Sequence, residues 1–264
     1  MHEVNYLRPK NLAEAVQLYR TTPGCRLLAG GTDLMVMLHA RTVHPEPRAL
    51  LDVWSLPELK GVRRVNEALE IGAAESYTAI IRSPEVQRDL PALVAAARTI
   101  GAAQIQNRGT LGGNLANASP AGDTLPVLLA YDAVIVTDRR SIAIDKFFTG
   151  YRKTALQSDE LITAVRFPLG RQVKFRKVGT RAAQAISKVV MAVSRRPARI
   201  AIGSVAEVPL RARHAEAALE RNDVEGAVAA VADDVRPIDD VRSTATYRRA
   251  VTQNVLHELL ARFI

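Results

Sequence analysis

Thr110-Leu111-Gly112-Gly113-Asn114-Leu115-Ala116-Asn117-Ala118-Ser119-Pro120-Ala121-Gly122-Asp123 sets three glycines and two asparagines among fourteen residues with little apolar bulk. Such a stretch is costly to order unless a ligand or a close backbone partner holds it. Glycine allows the close approach and positive φ angles of a nest of N–H groups converging on phosphate oxygens. Thr110, Asn114, Asn117 and Ser119 offer donors to phosphate or sugar hydroxyls. An ionised Asp123 only accepts, which suits a sugar hydroxyl. A purely structural Ω-loop is the competing reading.

Some eighty positions earlier stands a second such segment, Ala29-Gly30-Gly31-Thr32-Asp33-Leu34. Cys25 to Ala29 reads as a short apolar strand and Asp33 to Leu38 as a short helix, so free N–H groups at the helix start would meet an anion. The same residues also spell an ordinary strand-to-helix turn capped by Asp33. Taken together, the two segments predict a phosphate-bearing ligand. No G-x-G-x-x-G with a following acid and no G-x-x-x-x-G-K-[ST] occurs, so neither a Rossmann fold nor a P-loop is expected.

At 264 residues, 48% of them hydrophobic, the chain has room for two domains with real cores. Met1 to Lys10 lacks an apolar signal region and no stretch approaches eighteen uncharged apolar residues, so no membrane insertion and a soluble cytoplasmic protein are expected. Cys25 is the single cysteine, which excludes an internal disulfide and a cysteine-bound cluster made by this chain alone. His2, His39, His44, His214 and His257 show no ligand spacing, so no metal site is expected. The net charge of +9 invites a nucleic-acid reading. Against it, arginines are interleaved with acids and aromatics are only 5%, which fits a solvated basic surface or one facing an acidic partner subunit.

Asn11-Leu12-Ala13-Glu14 reads as a capping box opening a helix over 12–21. Strands are expected at 49–54 and 69–72, then helical residues between Ser76 and Ile100, with Ser83-Pro84 and Pro91 as starts. A helix is expected at 125–130 and strands at 133–137, 142–144 and 161–167. Pro168-Leu169-Gly170 is a break and the best domain boundary. Strands at 174–178, 188–194 and 199–205 then suit an antiparallel sheet, followed by helices at 211–220, 224–232 and 244–263. The layout is α+β in two parts.

Several motifs in order give the chain a family. These are Leu27 to Leu34, Arg108 to Asn114, Ala118-Ser119-Pro120 with Asp123, Phe147 to Thr154, and Lys177 to Arg181 leading to Ile186-Ser187-Lys188-Val189. Along nearly its whole length the sequence resembles the FAD-binding medium subunit of the molybdenum hydroxylases, the family of xanthine dehydrogenase and aerobic carbon monoxide dehydrogenase. The resemblance implies an FAD domain of the vanillyl-alcohol-oxidase or PCMH type over 1–168, in subdomains of about 1–56 and 57–168. A smaller C-terminal domain with an antiparallel sheet and helices would then occupy 169–264. It also implies that Leu27, Leu28, Ala29, Gly30, Gly31, Thr32, Asp33 and Leu34 wrap the pyrophosphate. Thr110, Gly112, Gly113, Asn114 and Asn117 would hold the cofactor's second side, and Asp123 one of its hydroxyls. Ile100 would stand beside the flavin, Ile162 against the cofactor and Lys177 near its polar edge, although an isoleucine is also an ordinary core residue and a lysine an ordinary surface charge.

In that family a large molybdenum-cofactor subunit hydroxylates the substrate, and electrons pass through two [2Fe–2S] clusters on a small subunit to the flavin subunit and on to a final acceptor. The single cysteine fits this division, since the clusters must come from a partner. A dimer of heterotrimers is the implied assembly. No Ser-His-Asp or Cys-His set is required or found, so no catalytic residue is assigned to the chain. The alternative is a self-contained FAD-dependent oxidoreductase of the same fold acting on a small molecule, but residues 171–264 supply no evident acid or base for it. Near Ser141 the chain is shorter than many relatives, and it lacks the cysteine-bearing insertion of the benzoyl-CoA-reducing branch.

Overall fold

The computed structural model describes residues 4–263; His2, the beginning of the Met1–Lys10 stretch and Ile264 lie outside them. The chain opens with β1 (Asn5–Leu7), α1 (Leu12–Thr21), β2 (Cys25–Leu28), α2 (Leu34–His39) and β3 (Ala49–Asp52). These strands form a parallel sheet of order β1-β3-β2. Asn11 caps α1 by accepting from Glu14 N, while the Glu14 carboxylate accepts from Lys10 N, so the capping box closes one residue earlier than expected. Ala15, Leu51, Leu56 and Leu59 form a small core beneath this sheet.

The next unit contains β4 (Val62–Val65), β5 (Ala68–Gly72), α3 (Tyr77–Arg82), α4 (Pro84–Asp89), α5 (Pro91–Ala97), α6 (Ala103–Arg108), α7 (Leu111–Asn117) and α8 (Leu125–Ala130). It continues through β6 (Val134–Thr137), β7 (Ser141–Ala143), the hairpin of β8 (Phe148–Gly150) with β9 (Lys153–Thr154), and β10 (Ile162–Pro168). The sheet β4-β5-β10-β6-β7 is antiparallel throughout. Alternation decides its inner face: Leu69 and Ile71 on β5 and Val165 and Phe167 on β10 are fully buried, and Tyr131 meets Phe167 edge to face.

Beyond Pro168 the chain turns at Gly170, whose φ of +82° favours glycine. An antiparallel sheet follows, β11 (Lys174–Val178), β12 (Val189–Arg195), β13 (Ala198–Gly203) and β14 (Leu210–Arg211), then α9 (Arg213–Glu220), α10 (Val224–Asp234) and α11 (Ala245–Ala261). The unbroken apolar run of β12 has a cause in its two covered faces. Val189, Met191 and Val193 pack with α9–α11, while Ala192 on the other face joins the central core beside α8. Every residue of α8 is buried because it lies between that sheet and α5.

Charge ties the two parts at Asp132, which follows α8 with a left-handed φ of 51°. Its carboxylate accepts from Arg171, Arg199 and Arg211, and although burial works the other way, these hydrogen bonds and charges hold it below the usual carboxylate range. Asp132→Ala leaves three guanidiniums facing one another. At a half-exposed site we expect a loss of roughly 2 kcal/mol, below the full penalty for breaking a buried pair, measured as a lowered midpoint in urea unfolding.

Candidate functional site

The first glycine segment leaves the C-terminal end of β2, where the Val53 N–H donates to Leu28 O at 2.9 Å. Gly31 then turns with φ +76°, and Met35 N reaches back to Gly31 O at 3.0 Å to begin α2. Between these points, the N–H groups of Gly30, Gly31, Thr32, Asp33 and Leu34 donate to no acceptor among the described residues. Five successive free donors at a sheet's C-terminal end are a ready anion cradle. Asp33 does not cap α2, as the competing strand-to-helix-turn reading would have it; its Oδ1 accepts from Asn117 Nδ2 at 3.0 Å instead. Leu27, Leu28, Ala29, Thr32 and Leu34 are half-buried around this turn.

The second segment corrects an expectation. Its first half is no open loop: Thr110 caps a helix running to Asn117, which Ala118 ends with a left-handed φ of 46°. The helix-start amides are consumed internally, Leu111 N by Glu75 O, Gly112 N by Ala73 O, Gly113 N by Thr110 Oγ1 at 3.0 Å and Asn114 N by Thr110 O. The glycine pair misleads because Gly112 is there for packing. A Cβ on it would stand 2.7 Å from Ala73 O. What α7 turns outward is the exposed Gly113 and the half-buried side chains of Asn114 and Asn117. Ser119, also expected as a donor, accepts from Ala121 N.

The two segments lie against each other. A Cβ placed on Gly30 would stand 1.8 Å from Arg108 O, just before α7, and the Asn117–Asp33 hydrogen bond spans the same gap. Arg152 from the β8–β9 hairpin donates to Asn117 Oδ1 at 2.5 Å and fixes that amide's orientation.

Beside α7 sits a buried ion pair. Lys177 Nζ donates to Asp123 Oδ2 at 2.6 Å and to Thr99 O at 3.0 Å, each side chain being 10% exposed. Burial pushes the Asp123 carboxyl up to about 6 despite the opposing Lys177 charge, so desolvation outweighs the pair. Asp123 Oδ1 and Asn114 Oδ1 are both buried without a donor among the described residues. Asn114 Oδ1 lies against the turn before Asp123, since a Cβ on Gly122 would stand 2.8 Å from it.

Ile100 is half-buried and packs against the central core directly after Thr99, whose carbonyl Lys177 holds, which sets its backbone beside this group. Ile162 does not reach it visibly. It is 7% exposed at the start of β10 and packs in the central core; its neighbour Thr163 accepts from Ala73 N, and Ala73 O accepts from Gly112 N, which sets Ile162 in the layer behind α7. Tyr77, unmarked in the sequence, is fully buried with its hydroxyl 3.4 Å from Thr124 Oγ1, and burial pushes that phenol far up.

Whether FAD fits can be tested on these atoms. A diphosphate needs several free donors, which Gly30 to Leu34 supply, and a polyol needs acceptors for its hydroxyls, which the orphaned oxygens of Asn114 and Asp123 supply. The residues fit. Among the described residues no group of three or more histidine, cysteine or acidic side chains is placed to hold a metal ion, and no helix is long and apolar enough to cross a membrane.

Residues 2–170 match the family described as the FAD binding domain in molybdopterin dehydrogenase, and residues 174–263 the CO dehydrogenase flavoprotein C-terminal domain. The chain is 33% identical over 282 residues to the xanthine dehydrogenase FAD-binding subunit of Escherichia coli O157:H7, covering 97% of this chain and 96% of that one. It is 32% identical to the carbon monoxide dehydrogenase medium chain of Hydrogenophaga pseudoflava, covering 97% and 95%. A solved structure of carbon monoxide dehydrogenase from Hydrogenophaga pseudoflava superposes with a TM-score of 0.92 at 32% identity, over 98% of this chain and 96% of that one. An FAD-binding domain followed by an antiparallel C-terminal domain, at these identities over nearly full length, places the chain in the FAD-binding medium-subunit family of the xanthine and carbon monoxide dehydrogenases, oxidoreductase subunits whose cofactor is FAD.

Proposed function

We propose that this chain is the electron-transferring FAD subunit of a cytoplasmic molybdenum hydroxylase, assembled with a large molybdenum-cofactor subunit and a small [2Fe–2S] subunit as a dimer of heterotrimers. The observation that carries the reading is the run of five unpartnered amides at Gly30 to Leu34 set against the two orphaned acceptors near α7. Bound FAD would accept electrons singly from the clusters and hand them in pairs to a final acceptor.

This chain's residues bind and orient. Leu27 to Leu34 cradle the pyrophosphate through main-chain donors, while Thr110, Gly112, Gly113, Asn114 and Asn117 contribute a shaped helix face and side chains rather than helix-end amides. Asp123 Oδ1 accepts a cofactor hydroxyl, with Lys177 balancing its charge; Ile100 covers the adjacent ring and Ile162 backs the cofactor from the core. The domains implied are 1–168, in subdomains of about 1–56 and 57–168, and 169–264.

Purifying the native chain under gentle conditions tests the assembly: a large molybdenum subunit, a [2Fe–2S] subunit and one FAD per chain are expected to co-elute. Recovery of a flavin-loaded chain that turns over a substrate without those partners would overturn it. Gly113→Val tests the helix face. A Cβ there stands 2.8 Å from Thr110 Oγ1 and the added methyls project where the cofactor would lie, so cofactor retention is lost while the C-terminal domain stays folded. Normal flavin content would remove α7 from the site.

A further inference from the structure

Trp54 stands directly beyond β3, its main-chain N–H donating to Asp52 Oδ1 at 2.9 Å, level with the start of the first glycine segment. Its ring carries two cations: Lys60 Nζ lies 3.7 Å from the ring centre and the Arg108 guanidinium carbon 4.0 Å. Lys60 also donates to Ala74 O. Arg108, by contrast, forms no ion pair among the described residues, so the indole is its one strong contact apart from solvent. The same residue presses its carbonyl onto Gly30. Arg108 therefore reaches from the α6–α7 turn to the parallel-sheet side at two points, backbone to the amide cradle and guanidinium to Trp54.

We propose that Arg108 and Trp54 form a clasp that holds the α6–α7 turn and the parallel-sheet side together around the bound dinucleotide and sets how slowly FAD leaves. The inference rests on the cofactor lying between the two glycine segments. A ligand gripped by donors on one side and acceptors on the other escapes only when the sides part. A cation over an indole resists parting without touching the ligand. Arg108 and Trp54 are thus positioning residues, and their loss acts on release rather than on encounter.

The test follows flavin fluorescence after dilution of the FAD-loaded protein, with association rates measured separately. Arg108→Met and Trp54→Leu are each expected to speed release about tenfold, which corresponds to ~1.4 kcal/mol, and to leave the association rate unchanged. Arg108→Lys, which keeps a cation over the ring, is expected to restore slow release. The double variant is expected to release no faster than either single one, because both remove the same contact. Wild-type release rates in the single variants, or effects that multiply to roughly a hundredfold in the double variant, would overturn the clasp. Should Trp54→Leu fail to fold, the Arg108 variants decide alone: equal release from Arg108→Met and Arg108→Lys sinks the proposal. Normal FAD binding by Gly30→Ala would instead refute the placement of the cofactor, so the two failures are separable.

Discussion

Gly30→Ala is expected to abolish FAD retention, with purified protein carrying less than about a hundredth of the wild-type flavin affinity, a loss above ~2.7 kcal/mol. The added Cβ would stand 1.8 Å from Arg108 O and 2.6 Å from its carbonyl carbon. Both are main-chain atoms, fixed by Gly109 N reaching Ile105 O and by Tyr77 N reaching Gly109 O. Neither side can yield by a rotamer change. The segment must move away from the α6–α7 turn as a unit, and the cradle of five free amides moves with it.

Gly31→Ala is the built-in comparison. There the Cβ meets only Met35 Cγ at 3.1 Å and Leu28 Cδ1 at 3.3 Å, both flexible, and the remaining cost is a left-handed φ of +76°. That conformation costs a non-glycine residue about 1–2 kcal/mol, so a partial loss of affinity is expected. Flavin absorbance per chain after desalting ranks the three proteins. Equal retention by Gly30→Ala and wild type would mean that the approach of the two segments is irrelevant to the cofactor.

The contrast between these neighbouring glycines shows where sequence reasoning reaches. Gly30 and Gly31 were readable as a close-approach pair because paired glycines sit between a short strand and a short helix, and both elements formed as expected. Gly112-Gly113 carries the same letters with another meaning. Thr110 offers an N-cap and Leu111 and Leu115 a buried stripe, yet two helix-disfavouring glycines hide that pattern until Ala73 is seen to leave no room for a Cβ at 112.

Other elements were illegible for related reasons. β4 puts Arg63 and Arg64 at the centre of an edge strand, where Arg63 pairs with the buried Glu70, a partner fixed only by sheet register. The three-residue β1 and the short β8–β9 hairpin carry too few residues for any period to register. Asp123 and Lys177 are fifty-four positions apart, and only the packing of β11 across α5 and the central core makes them a pair. Long helices and strands with continuous burial, such as α11 and β12, were by contrast plain.

That buried pair sets the second large effect, a pH dependence of cofactor binding. The Asp123 carboxyl titrates at about 6 in the folded chain against an ordinary 3.8, chiefly through burial, so ionising it costs the folded state. Without ligand, its contribution to stability is intact below pH 3.8 and is lost as pH rises through about 6. The loss amounts to about 3 kcal/mol at neutral pH.

A cofactor hydroxyl donating to the orphaned Oδ1 favours the ionised form, so FAD affinity is expected to rise with pH across the window up to about 6 and then level. Asp123→Asn should bind more weakly and without that slope. Lys177→Met removes a cation that opposes desolvation, which moves the carboxyl's titration upward. At pH 7 that variant should bind FAD at least about tenfold more weakly, ~1.4 kcal/mol, and recover affinity as the solution is made more alkaline. Titrations of apoprotein with FAD between pH 5 and 9 separate the cases. A Lys177→Met protein whose deficit stays constant over that range would mean that the lysine touches the cofactor directly and that Asp123 plays no part in the pH response.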